Sequence, residues 1–263
     1  QMGVPKGRKA LEGREGSVFR TFLKATLRLD PDVVLVGEIR DSESAESTKD
    51  LVLAGRKLLS TLHVYEAFAA FERLKELGVP PSVLYMEGFI SGIIYQRLVP
   101  VLCECAMPFE QAIKAGLIRP ALAERVARVS DLRRDNVRIR QRGGCAKCGY
   151  SGIVGRTTCA ELLVPDATFL AHLRSGNEAA ARAHWHSDPA LGIEDLGVTA
   201  VAHAIQKMRL GQLDPADIET QIGPLIVKYA SVAGMPERAP ATGSMDRFSG
   251  IRMGDDAPSG LMQ

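Results

Sequence analysis

Apolar and polar positions fall in blocks along the first hundred residues, and the blocks read as short strands alternating with helices. The run Val33 to Val36 is uninterrupted, rich in β-branched residues, and ends abruptly at Gly37 and Glu38. Apolar on both faces, it predicts a strand buried in the middle of a parallel sheet. Leu58 to Leu62 is a second run of the same kind. Around these runs the period changes. Val18, Phe22, Ala25 and Leu29 share one helical face, with Ser17 as N-cap and Asp30-Pro31 as the stop. Asp41 and Ser42 are cap candidates for a helix running to about Ala54, where Gly55 ends it. Tyr65 to Leu77 predicts a helix that turns Phe68, Phe71, Leu74 and Leu77 inward, with Gly78 after it. Pro80-Pro81 breaks the chain, and Ser82 caps a further helix through about Tyr95.

Strands alternating with helices over short connections predict an α/β fold with a parallel sheet. The pattern then weakens. Residues 103–163 carry the cysteines and an arginine-rich stretch, and residues 166–227 read as several short helices, for example Val198 to Leu210 ending at Gly211. Residues 1–16 read as a loop, and the Gly-, Pro- and Ser-rich stretch from Ala233 predicts a disordered tail. The expected divisions are 1–102, 103–163, 164–230 and 231–263. No internal repeat is present.

Composition changes this picture little. The 263 residues are 46% hydrophobic and 24% charged, with a net charge of +2. These values suit a folded chain and demand no special partner. The most apolar long window, Val83 to Leu102, contains Glu87, Gln96 and Arg97, which is costly for a membrane span, and no signal peptide is recognisable. A soluble, cytoplasmic protein is expected. The chain starts at Gln1, which suggests a fragment.

The chemistry gathers at the strand ends. Open α/β sheets bind ligands outside the carboxyl ends of their strands. Glu38 stands there, as does His63 if the two strands are parallel neighbours, with Thr61 close by. Glu38 suits a carboxylate that orients or deprotonates an attacking water, and His63 suits a sensor of a terminal phosphate. Arg40 and Asp41 extend the polar cluster, although Asp41 reads equally as a helix cap.

Three strings, LRLDPDVVLVGEIRDSESAE, AGRKLLSTLHVYEA and ISGIIYQRLVPVLC, occur in this order and closely resemble the motor ATPases of type II secretion and type IV pilus assembly, the GspE, PilB and PilT type. The resemblance is colinear from about Ser17 to Leu163 and more diffuse to Gly223. It implies a partial RecA-like P-loop ATPase core, followed by a zinc-type cysteine module and a small helical subdomain. It also implies that Glu38 belongs to the Walker B motif and His63 to a His box, and that Arg97 of the QRL triplet, like Arg40, serves as a network or subunit-contact residue. Implied too are ATP and Mg²⁺ for the complete protein, a homo-hexameric ring with other motor subunits, and an inner-membrane pilus or secretion platform as partner. Membrane association would be peripheral, on the cytoplasmic side of the bacterial inner membrane. No specific nucleic acid is expected.

One part of that pattern is missing from these residues. The phosphate cradle G-x-x-x-x-G-K-[ST] does not occur, and GVPKGRK at Gly3 to Lys9 has the wrong spacing. The chain therefore reads as the later half of such a motor, with little or no ATP hydrolysis expected of it alone.

Five cysteines, an odd number in two close pairs plus Cys159, favour a metal over disulfides. Cys145-x-x-Cys148 has zinc-knuckle spacing. Cys103-x-Cys105 is tighter than the two intervening residues usual in the family. Together the four make a candidate structural zinc site. Tyr150, Gly152, Gly155, Arg156 and Glu161 match the run that follows such modules in the family. Cys159 reads as a strand core residue.

The arginines from Arg133 to Arg142 could form an electrostatic patch, but no aromatic residues interleave with them, and a solvated face is the expectation. His184-Trp185-His186 reads as packing. Two rival functions stay open: a truncated, non-catalytic interaction module of such a motor, and a zinc-dependent nucleic-acid or partner-binding protein.

Overall fold

The computed structural model describes residues 29–187 and 197–225. The helix expected from Ser17, the leading loop and the tail from Ala233 lie outside the described residues. Strands β1 (Val33–Val36) and β2 (Lys57–Ser60) run parallel, from Val33 opposite Lys57 to Val36 opposite Ser60. Helix α1 (Ser42–Leu53) makes the crossover. Its start is fixed by Asp41, whose carboxylate accepts the Ser44 N–H at 2.8 Å while the Ser44 hydroxyl accepts the Asp41 N–H at 3.1 Å. This reciprocal cap satisfies amides that a helix leaves unpaired. Gly55, at φ 84°, closes the other end.

The expectation that β1 is buried on both faces does not hold. Val34 and Val36 pack against Leu51 of α1, whereas Val33 and Leu35 are 52% and 76% exposed. Among the described residues this sheet has two strands, and a helix covers one face only. The run is apolar on both faces because composition records what a strand can be buried against, not whether these residues supply the cover.

The next expected helix starts later, as α2 (Ala69–Glu76), and the residues just before it form bends and a turn, with Ala67 and Glu66 held by Glu161 and Arg182 from distant parts of the chain. The helix expected from Ser82 to Tyr95 is replaced by one short turn, α3 (Pro81–Leu84), and then by β3 (Ile93–Leu102). β3 pairs antiparallel with β6 (Ile153–Leu163), from Ile93 opposite Leu163 to Leu102 opposite Ile153. Ile93, Ile94, Val99 and Val101 suit a pleated surface, and a ladder of this length outweighs the local helical spacing. The strand pair also straddles the division expected at residue 102.

Between its strands the chain forms β4 (Met107–Pro108), α4 (Phe109–Lys114), α5 (Pro120–Val129), β5 (Arg138–Ile139) and a 3₁₀ turn (Ala146–Cys148). After β6 come α6 (Ala167–Arg174), α7 (Glu178–Ser187), α8 (Ala200–Arg209) and α9 (Pro215–Gln221), as the helical reading of this stretch expected. The ribbon serves two apolar cores. Tyr95 and Leu163 join Phe68, Phe71, Phe169 and Trp185 in one, while Val99 and Cys159 join Val126, Ile205, Met208 and Ile218 in the other. Cys159 is thus a strand core residue. Trp185 packs inside the first core and donates its ring N–H to Leu162 O at 3.0 Å, which bears out the packing reading for that helix.

Arg125 of α5 holds Glu219 of α9 through two hydrogen bonds, at 2.6 and 2.7 Å. The Arg125 guanidinium and then the Leu225 N–H hold the Glu219 carboxyl below the ordinary carboxylate range, against the opposing pull of burial. A depressed folded pKa adds stability above the unfolded value, about 4.3, and loses it as pH falls through the folded one. Glu219→Gln should therefore cost about 1–2 kcal/mol at pH 7. The difference between the two proteins should shrink as pH falls below the unfolded value and vanish once it has passed the folded one, which urea melts across that range check.

Candidate functional site

At the carboxyl ends of β1 and β2 the two strands are stitched one step further. The Ile39 N–H donates to Thr61 O at 3.0 Å, and the Thr61 hydroxyl donates to Gly37 O at 2.7 Å. The parallel register carries Glu38 and His63 out of the sheet side by side, with His63 Nε2 at 3.3 Å from Glu38 Oε1. Arg40 Nε lies 3.6 Å from the other Glu38 oxygen. The carboxylate is 27% exposed and the imidazole 91%, so the pair lies at an open strand end that a ligand can reach. Arg40 is anchored from behind, since its backbone N–H donates to the Ser44 hydroxyl at 3.1 Å. Four expected residues, Glu38, Arg40, Thr61 and His63, come together. Arg97 stands apart: its hydrogen bond at 2.7 Å and its ring contact both go to Tyr95. Chemically the cluster can orient a water against a carboxylate and present an imidazole and a guanidinium to an anion.

The second cluster closes the far end of the β3–β6 ribbon. The sulfurs of Cys103, Cys105, Cys145 and Cys148 all lie within 4.8 Å of one another. Individual separations are 3.8 Å for Cys103–Cys145 and Cys145–Cys148, and 4.0 Å for Cys105–Cys148. Four thiolates about 2.3 Å from a tetrahedral ion are about 3.8 Å apart, so the set fits one. The Cys103-x-Cys105 bite, tight in sequence, is accommodated because the two residues span the corner where β3 ends. Amides of Cys145 and Gly152 point at Cys148 Sγ from 3.1 and 3.2 Å. The Cys145 N–H, with the Gly152 N–H supporting it, brings the Cys148 thiol down to about 6, whereas burial and the neighbouring sulfurs push Cys105 up to about 12.

Two glycines make this closure possible. Gly144 sits at φ 50°, and a Cβ there would meet Gly152 N at 2.6 Å and Cys148 Sγ at 2.7 Å. Gly152 sits at φ 76°, with Gln141 O at 2.7 Å from the same notional atom.

The arginine run is largely committed within the chain. Arg138 donates to Glu104 O and Ala106 O at 3.0 and 2.6 Å, Arg140 lies 3.4 Å from Asp217, and Arg134 3.6 Å from Asp131. One feature escaped the sequence reading. Glu161, matched only as part of a family run, is a buried carboxylate that receives two backbone N–H groups from distant segments. Its signal was available: an acid between Cys159 and Leu163, on the inward parity of a strand.

The frame is that of an α/β protein with a polar cluster at the carboxyl ends of two parallel strands. A family model described as type II/IV secretion system protein matches residues 5–209, and the chain belongs to that family. The resemblance drawn from the three strings is thereby borne out. Type II secretion system protein E of Dickeya dadantii (strain 3937) is 35% identical over 200 residues, 74% of this chain and 36% of the relative. The type IV pilus assembly ATPase PilB of Thermus thermophilus is 37% identical over 151 residues, 57% of this chain and 16% of the relative. The chain thus spans well under half the length of these curated relatives. A solved structure of the pilus retraction motor PilT with bound ADP superposes with a TM-score of 0.49 at 20% identity, covering 77% of this chain and 43% of that one.

Gly144→Ala should destabilise the fold by about 1–3 kcal/mol, through overpacking against the Cys148 turn and a left-handed backbone. Gly155→Ala, where nothing lies within 4 Å of the added atom, should stay within about 0.5 kcal/mol. Thermal denaturation of the two variants checks the contrast.

Proposed function

We propose that this chain is the later part of an ATP-driven motor subunit for type II secretion or type IV pilus assembly. The observation that carries the reading is the Glu38–His63 pair, 3.3 Å apart at the ends of two parallel strands, in a chain of this family. Magnesium-bound ATP is the substrate of the complete motor. Glu38 orients and polarises the attacking water, and His63 meets the phosphate region, where an imidazole N–H can follow the change in charge as the terminal phosphate leaves. Thr61 fixes the strand end that carries both, through its bond to Gly37. Arg40 balances the carboxylate, and Arg97, turned toward Tyr95, serves as a subunit-contact residue.

The phosphate cradle is not among these residues, so the backbone amides and lysine that hold the β- and γ-phosphates must come from elsewhere in the motor. By itself the chain turns over little or no ATP. The four-cysteine cluster holds a zinc ion whose chemistry is structural: with four sulfur ligands the coordination is closed and activates no water. In the motor the subunits form a homo-hexamer, peripheral to the cytoplasmic side of the inner membrane and engaged with a membrane platform. No helix among the described residues is long and apolar enough to cross a membrane.

In the complete motor, Glu38→Gln should lower kcat by about a hundredfold or more while nucleotide still binds. Wild-type turnover by that variant would remove Glu38 from the chemistry. The chain alone should give no ATPase activity above background, and robust Glu38-dependent turnover by it would contradict the need for a cradle. Purified chain should carry zinc and lose it on Cys148→Ser, as metal analysis reads; zinc retained by the variant would count against the cysteine assignment.

A further inference from the structure

Glu161 is 5% exposed on β6, on the same parity as Cys159 and Leu163. One carboxylate oxygen accepts the backbone N–H of Ala67, and the other accepts the N–H of Ala200 at 2.9 Å. Ala67 lies in the loop that runs from His63 into α2. Ala200 is the first residue of α8, capped by Thr199, where the backbone amides have no partner within the helix and the helix dipole favours an anion. The same loop is gripped from the other C-terminal helices. Arg182 of α7 pairs with Glu66 at 2.6 Å and lies 3.9 Å over the ring of Phe68. Phe68 in turn meets the Phe169 ring of α6 at 5.7 Å, near edge-on.

Burying a carboxylate is costly, and the cost is recovered only where its lone pairs meet well-placed donors. Here the two donors come from segments far apart in sequence, one leading away from the strand-end site and one opening a C-terminal helix. We propose that Glu161 is a positioning residue: its carboxylate ties the loop carrying His63 to the N-terminus of α8, so that movement of the C-terminal helices is transmitted to the strand-end site. The functional consequence rests on the proposed role of His63 at the phosphates; the tie itself does not.

Nuclear magnetic resonance of the chain tests it without nucleotide. Glu161→Gln keeps the shape but presents an NH₂ group to one of the two backbone donors. The fold should be retained by circular dichroism. Amide exchange should speed up roughly tenfold or more at whichever of Ala67 and Ala200 faces the NH₂ group, and the His63 ring signals should shift. Glu219→Gln, which costs stability in a different core, should leave the His63 signals in place, separating positioning from general loosening. If Glu161→Gln does not fold, Ala200→Pro gives the second reading. Proline is tolerated at a first helical position and Thr199 is already extended, so the N–H donor is lost without breaking the helix, although the ring adds carbons at a position 2% exposed. That variant should likewise shift the His63 signals and speed exchange at Ala67. Unchanged His63 signals and Ala67 exchange in the folded variants would overturn the proposal. Normal turnover by Glu38→Gln in the motor would overturn the catalytic reading and leave this tie standing.

Discussion

The antiparallel pairing of β3 with β6 is the constraint on which the rest depends. Two strands that lie far apart in the chain are zipped over their full length, and every other described element beyond α3 attaches to that ribbon or to the loop between its strands. At one end the ladder brings Cys103 and Cys105 to the turn that carries Cys145 and Cys148. Toward the other it delivers Glu161 to the His63 loop and to α8. Its register therefore sets two distant pieces of chemistry at once. A one-residue slip would turn Cys159, Glu161 and Leu163 to the opposite face and undo both cores.

The strand-end site has a different logic. Parallel neighbours joined by a helical crossover bring their carboxyl ends to the same edge, so a carboxylate after one strand and a histidine after the other meet without any long-range contact of their own. The sheet beneath them is thin, and its apolar residues Val33, Leu35 and Leu59 remain exposed. Precision at the site then has to come from its flanks: the Asp41–Ser44 cap on one side, and on the other the loop held by Glu161, Arg182 and Phe169. A two-stranded sheet is weak support on its own, which is why these anchors matter.

Local signals in the sequence marked what local physics decides. Val33 to Val36 was legible as a strand to the residue, because a β-branched run ends at a glycine and an acid. Helix α1 was legible from Asp41 and Gly55, and the cysteine grouping from its spacing. What failed depended on partners. Ile93 to Leu102 has spacing compatible with either a helix or a strand, and only Ile153–Leu163, remote in sequence, settles it. The exposure of Val33 and Leu35 could not be read from their own types, since it depends on what covers them. Glu161 was visible as a residue but not as a tie, because its two donors are backbone amides, which carry no mark in the sequence.

The central claim is that Glu38 and His63 form one side of a nucleotide site. Titration of the complete motor with a magnesium-bound, non-hydrolysable ATP analogue, followed at the ring signals of His63, tests it most directly. Saturable shifts at His63 that differ between the analogue and ADP are expected of a ring that meets the terminal phosphate. Tight binding of both nucleotides with His63 signals unmoved would contradict the assignment.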